Sequence, residues 1–203
     1  MKKILAAVLA GVMLLSAACG AEDLDASGYV QGLLDAQLRG EYTAYAEDIG
    51  ESEESVKEEI EAQNRQDIED MVTVLGLTPT EEELQEFVDL IEDGFKKIEY
   101  TVKEAVKDDN GNYTVDVEVT PVGLLDSVNE ILAQKLQGEA VVDESGYMTV
   151  FNEAVKESIE QAAVYEKETV TLNITYTEDG NNRVYSANES DLADLITIAV
   201  HQQ

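Results

Sequence analysis

The chain of 203 residues has one cysteine, one histidine, two prolines and no tryptophan, and sets only 13 lysines and arginines against 44 aspartates and glutamates. Each scarcity removes a class of explanation. A lone thiol cannot form an internal disulfide framework. The single histidine, His201, lies in the polar C-terminal tail and is expected to fray into solvent. With no second histidine and no spare cysteine, the ligand sets of zinc sites and the triads of nucleophilic catalysis cannot be assembled. At a net charge of −31, sequence-independent nucleic-acid binding is excluded, because it relies on lysine and arginine to neutralise phosphates.

The chain also has no glycine-rich loop to cradle a phosphate; its glycines are scattered at helix stops and turns. The aspartate-rich turn 108–112 has the composition of a calcium loop. Its register fails, however, with Tyr113 where glycine is needed and Val119 where the bidentate glutamate belongs. Paired carboxylates could in principle hydrolyse a glycoside, but 44 acids make chance pairs plentiful. A sugar site would also want aromatic platforms. Tryptophan is absent, and Tyr29, Tyr100, Tyr113, Tyr147 and Tyr176 fall in the inward register of their elements. The expectation is a non-enzyme with no catalytic, cofactor-binding or metal-binding residues.

What is present begins at the N-terminus. Lys2 and Lys3 precede an apolar stretch over residues 4–15, too short to span a bilayer and of the right length for a secretory signal. Leu15-Ser16-Ala17-Ala18-Cys19-Gly20 follows, with small residues leading directly to the only cysteine. This segment resembles the lipobox of bacterial lipoproteins, with Ser16 standing where leucine is usual. The resemblance implies that residues 1–18 are a lipoprotein signal peptide, that Cys19 carries acyl chains of the palmitate kind, and that it becomes the first mature residue. Two or three acyl chains anchor stably where one alone is marginal. Removal of the eighteen-residue leader, which takes Lys2 and Lys3 with it, leaves 185 residues at a net charge of −33. Residues 19–26 then form the lipidated cysteine and a short tether reaching at most about 25 Å.

From residue 27 to 203 the patterning predicts one acidic α+β domain. Ser27 can cap a helix ending at Gly40, and Ser52 opens a longer one running to Leu75. Thr78-Pro79-Thr80-Glu81 restarts a third, with Thr78 as cap and Pro79 in the first turn, burying Leu84, Phe87, Val88, Ile91 and Phe95. The period then changes from helical to alternating. Ile98, Tyr100, Val102 and Val106 alternate with polar residues, and so do Tyr113, Val115, Val117 and Val119 beyond an Asn-Gly turn, which reads as a β-hairpin. Two more helices, over 124–136 and 147–162, precede a second hairpin built on Val170, Leu172, Ile174 and Tyr176, and a last helix closes the chain. The expected architecture is an antiparallel sheet of about four strands from two hairpins, with helices packed on one face and a weak internal duplication between the halves. One sheet face should be open to solvent.

Taken whole, the lipobox and this order of helices and hairpins resemble the small Firmicutes-type lipoproteins known only as domains of unknown function. That resemblance implies attachment to the extracytoplasmic face of the bacterial cell membrane and carries over no catalytic residue. Acids crowd residues 47–62, against Lys57 alone, and residues 81–93. They are expected to form solvated helix faces, with a basic protein partner or diffuse divalent cations as the functional option. The expected role is a non-catalytic binding or scaffold module. The alternatives are the small substrate-binding component of a transporter and, less favoured, a carboxylate-based hydrolase.

Overall fold

Strand-forming sequence with a period of two dictates the centre of the fold. The computed structural model of the protein describes residues 17–19, 24–137, 144–179 and 182–201; the expected signal peptide up to residue 16 and residues 20–23 of the expected tether lie outside this range. In chain order the elements are β1 (Ala17–Cys19), α1 (Ala26–Arg39), α2 (Thr43–Ile49), α3 (Glu53–Val74), α4 (Glu81–Phe95), β2 (Glu99–Val102), β3 (Val106–Lys107), β4 (Tyr113–Thr120), α5 (Val128–Leu136), α6 (Glu144–Glu160), β5 (Glu168–Asp179), β6 (Asn182–Ala187) and α7 (Glu189–Ala199). The strands form one antiparallel sheet in the order β1-β6-β5-β4-β2, with β3 also paired to β4. The two hairpins therefore merge through β4 and β5 into an α+β fold, as the patterning indicated.

The alternation decides which face is covered. Val115, Val117, Val119, Leu172 and Ile174 are fully buried, while Thr114, Asp116, Thr171 and Asn173 between them are exposed. Helices α1 and α7 pack against the buried face at β4 and β5, and α4 and α6 meet beyond them with Phe87 and Phe151 edge to face at 5.5 Å. The opposite face of the sheet is open and polar.

Local differences from the sequence expectation have identifiable causes. Helix α1 is capped by Asp25, whose carboxylate accepts from the Gly28 amide at 3.0 Å, and not by Ser27. Leu24, which sequence assigns to the tether, is buried at 7% exposure, so the domain takes hold of the chain earlier than expected. The Ser27 hydroxyl instead donates to the Lys103 carbonyl and accepts from the Ala105 amide. Helix α4 is capped by Thr80 and not Thr78: a complete capping box joins Thr80 to Glu83, two residues on from the Thr78–Glu81 pair. The segment 124–127 turns before α5 begins, and the buried Ser158 hydroxyl donates to the Leu124 carbonyl.

Val106 is the clearest reversal. Glu99 to Val102 pair with Thr120 to Val117 in one register, but Val106 pairs with Thr114, one step out of phase. One extra residue on the edge strand makes a β-bulge, and a one-residue slip sends a side chain to the opposite face. Val106 accordingly stands on the open face, 66% exposed. The β5–β6 hairpin keeps a single register from Ile174↔Ala187 to Asp179↔Asn182 and carries no such bulge.

Candidate functional site

Four places on the molecule gather chemistry, beginning with the segment expected to carry the anchor. Cys19 ends β1 at the edge of the sheet, opposite Arg183 of β6, with Ala18 opposite Val184 and Ala17 opposite Tyr185. Among the described residues no helix is long and apolar enough to cross a membrane.

A cleft of about 250 Å³ lies at the β2 edge, where the open sheet face meets the end of α1. Cross-strand pairing places Glu99 beside Thr120 and Thr101 beside Glu118, with Thr169 beyond Glu118. Lys167, just ahead of β5, and Arg39, at the end of α1, complete the lining with Tyr100. The Glu118 carboxylate accepts from Lys103 at 2.8 Å and from Lys167 at 3.4 Å, and the Lys103 bond chiefly holds it below the usual glutamate range. Arg39 donates to the carbonyls of Lys96 and Ile98, the latter at 2.7 Å, and its guanidinium lies 5.4 Å from the Tyr100 ring centroid. The Tyr100 hydroxyl donates to Asp35; burial, and then this carboxylate, push its pKa well up. Sequence reasoning missed this cleft because four separate segments build it. The available signal was a local excess of base: residues 96–107 hold Lys96, Lys97, Lys103 and Lys107 against Glu99 and Glu104 in an otherwise acidic chain.

A third cluster overturns the expectation for His201. It does not fray. Its Nδ1 lies 3.1 Å from Asp126 Oδ2, its side chain is only 18% exposed, and its ring stacks on Tyr165. The Tyr165 hydroxyl donates to the same Asp126 oxygen at 2.7 Å. Main-chain bonds bring these groups together: Tyr165 N to Pro121 O, Gly123 N to Ala163 O, and Val122 N to Ala199 O. The cluster thus joins the β4–α5 connection, the α6–β5 connection and the C-terminus.

The acidic helices are the fourth. Arg65 on α3 reaches Glu69, Glu81 and Gln85, linking α3 to the start of α4. Nearby, burial first and then the like charges of Glu61 and Asp89 raise the Glu92 carboxyl above its usual range. Burial, followed by Glu61 and Glu92, pushes the Tyr42 hydroxyl up to about 12. Asp48 and Asp67 are raised as well, chiefly by burial. In the 108–112 turn the Asp108 carboxylate accepts from the amides of Asn110 and Asn112 at 2.8 and 2.9 Å, so it holds its own loop. Among the described residues, no group of three or more His, Cys, Asp or Glu side chains is placed to hold a metal ion.

No family model matches the chain, and no curated protein matches it significantly. Its fold resembles the crystal structure of a Bacillus subtilis protein (ycdA) described as a putative lipoprotein, with a TM-score of 0.62 at 14% sequence identity. The match covers 86% of this chain but 56% of that one, so the chain spans little more than half the length of its structural neighbour.

Proposed function

We propose that the protein is a lipid-anchored extracytoplasmic module that binds or scaffolds without catalysis. The observation that carries this reading is the segment Leu15–Gly20, in which the chain's only cysteine follows small residues directly behind an apolar stretch and a basic N-terminus. The likeness of the fold to that of the Bacillus subtilis protein supports it. Cleavage ahead of Cys19 removes Ala17 and Ala18, and the acyl chains then leave from beside the sheet edge at Arg183. Lys2 and Lys3 depart with the leader, and the remaining domain, at −33, is repelled by anionic lipid or wall polymer over roughly 8 Å at physiological salt. The domain stands off the surface on its tether, with its acidic helices available to a basic protein or to diffuse divalent cations.

Membrane fractionation of cells making the wild type and Cys19→Ala tests the anchor. The wild type is expected with the membrane and the variant in the soluble fraction or unprocessed; a processed, fully membrane-bound variant would overturn the reading. A second reading, the solute-capturing component of a transporter, is favoured by one observation, the cleft at the β2 edge lined by Arg39, Glu99 and Lys167.

A further inference from the structure

We infer that the cleft at the β2 edge binds a small zwitterion of the amino-acid class. The argument starts from register. Glu99 pairs with Thr120, and Glu168 with Val119, so Lys167 falls beside Thr120 on its other flank. Neighbouring strands lie about 4.8 Å apart, which puts the backbones of Glu99 and Lys167 about 10 Å from each other with the Thr120 hydroxyl between. Opposite charges thus face each other across one strand, with Lys167 turned to Glu118 and both close enough to reach a small ligand.

The groups are also available. Among the described residues, the Glu99 carboxylate and the Thr101 and Thr120 hydroxyls take no side-chain hydrogen bond or ion pair. Lys167 is the more distant of the two lysines on Glu118, at 3.4 Å against 2.8 Å for Lys103, and an ammonium has three donors. Arg39 is held in place by the Lys96 and Ile98 carbonyls, beside Glu99 at the outer edge of the cleft. Across Thr120 the set therefore offers the Lys167 ammonium on one side and the Glu99 carboxylate on the other, with Arg39 beside Glu99.

Net charge selects among ligands. Within the cleft, Glu99 and Glu118 oppose a simple anion, and Arg39 and Lys167 oppose a simple cation. A zwitterion crosses the field without net cost and pairs at both ends: its carboxylate with Lys167 and the Thr120 hydroxyl, its ammonium with Glu99. Ligand pockets usually run from about 300 to 1,000 Å³, so about 250 Å³ limits the occupant to amino-acid size.

The inference rests on the binding-module reading only in taking the domain to bind and release its ligand unchanged. Its test does not involve the anchor, so the two can fail separately. The full chain, isotopically labelled and held in detergent micelles, is titrated with each of the twenty common L-amino acids while its amide resonances are followed. At least one is expected to saturate below about 10 mM, with the largest shifts at Thr101, Glu118 and Thr120. The N-acetyl and the carboxamide derivatives of that amino acid, each lacking one charge, should bind at least tenfold more weakly. Glu99→Gln and Lys167→Gln, both at exposed positions that leave the rest of the spectrum in place, should each weaken binding tenfold or more. Absence of saturation by all twenty, shifts reproduced by sodium chloride at equal ionic strength, or equal binding of either derivative would overturn the inference.

Discussion

Tyr165 lies flat on His201, with ring centroids 3.4 Å apart and planes 11° from parallel, and both side chains converge on one oxygen of Asp126. Here the C-terminal end of the chain is fastened to two connections distant in sequence. Among the described residues His201 is the only non-glycine with a positive φ, 52°, a conformation that costs free energy unless its surroundings hold it.

Asp126 should therefore act as the shared acceptor of a small network. Asp126→Ala is expected to lower Tm by about 2–4 °C, the shift that about 1 kcal/mol produces in a chain of this size. His201→Ala in that background should add less than it does in the wild type, because the two substitutions remove the same contact. Thermal melts of the two single variants and the double variant measure this. Strict additivity would mean that Asp126 and His201 act independently.

The raised carboxyls of Glu92, Asp48 and Asp67 have a definite signature in pH. Their folded-state pKa values exceed those of the unfolded chain, so they destabilise the fold when ionised. As pH falls through the raised values, the folded state takes up protons first and stability rises, the gain being complete near pH 4. Glu83, Asp108 and Glu118 are shifted the opposite way, so their contribution is present above the unfolded values and disappears as pH falls below about 4. Tm should accordingly be higher at about pH 5 than at pH 7.5 and fall again below about pH 4. Glu92→Gln should raise Tm at pH 7.5 and flatten the upper limb; a profile that falls steadily from pH 7.5 to 5 would contradict the assignment. Added salt should act in the same direction as Glu92→Gln, by screening the net charge.

Two glycines separate close backbone approach from mere smallness. A Cβ on Gly32 would lie 3.0 Å from the Tyr45 backbone nitrogen, where α1 crosses α2. Gly32→Ala should destabilise by about 1–3 kcal/mol in spite of alanine's better helix propensity. A Cβ on Gly94 meets only the terminal methyls of Ile159 and Leu124, both at 3.3 Å, which can move aside. Gly94→Ala should leave Tm unchanged or slightly raised. Urea unfolding of both variants decides this, and equal losses would refute the distinction.

Ser27 ties α1 to the bulge between β2 and β3 through the Lys103 carbonyl and the Ala105 amide. Ser27→Ala should cost about 1 kcal/mol and speed amide exchange at Ala105, which loses its acceptor. Unchanged exchange at Ala105 would show that the bulge holds itself.

Much of this architecture is legible in the sequence, because periodicity reports burial directly. The α4 stripe of Leu84, Phe87, Val88, Ile91 and Phe95 and the alternation through β4 both describe the core as it is found. The reading fails where an outcome depends on distant partners. Val106 continues the alternation in sequence, but a bulge held in part by Ser27, far away in the chain, moves it to the other face. His201 reads as a polar tail because nothing near it in sequence announces Asp126 or Tyr165. The cleft is invisible for the same reason: Arg39, Glu99, Thr120 and Lys167 meet only through helix packing and strand register. The lipobox-like segment before Cys19, by contrast, is entirely local and needs no fold to be read.

The central claim is the anchor, and intact-mass analysis of the N-terminal peptide from the membrane-extracted protein tests it most directly. The account predicts a mature chain that begins at Cys19 and carries a diacylglyceryl group on that residue. An N-terminus elsewhere, or a Cys19 of unmodified mass in membrane-associated protein, would contradict it.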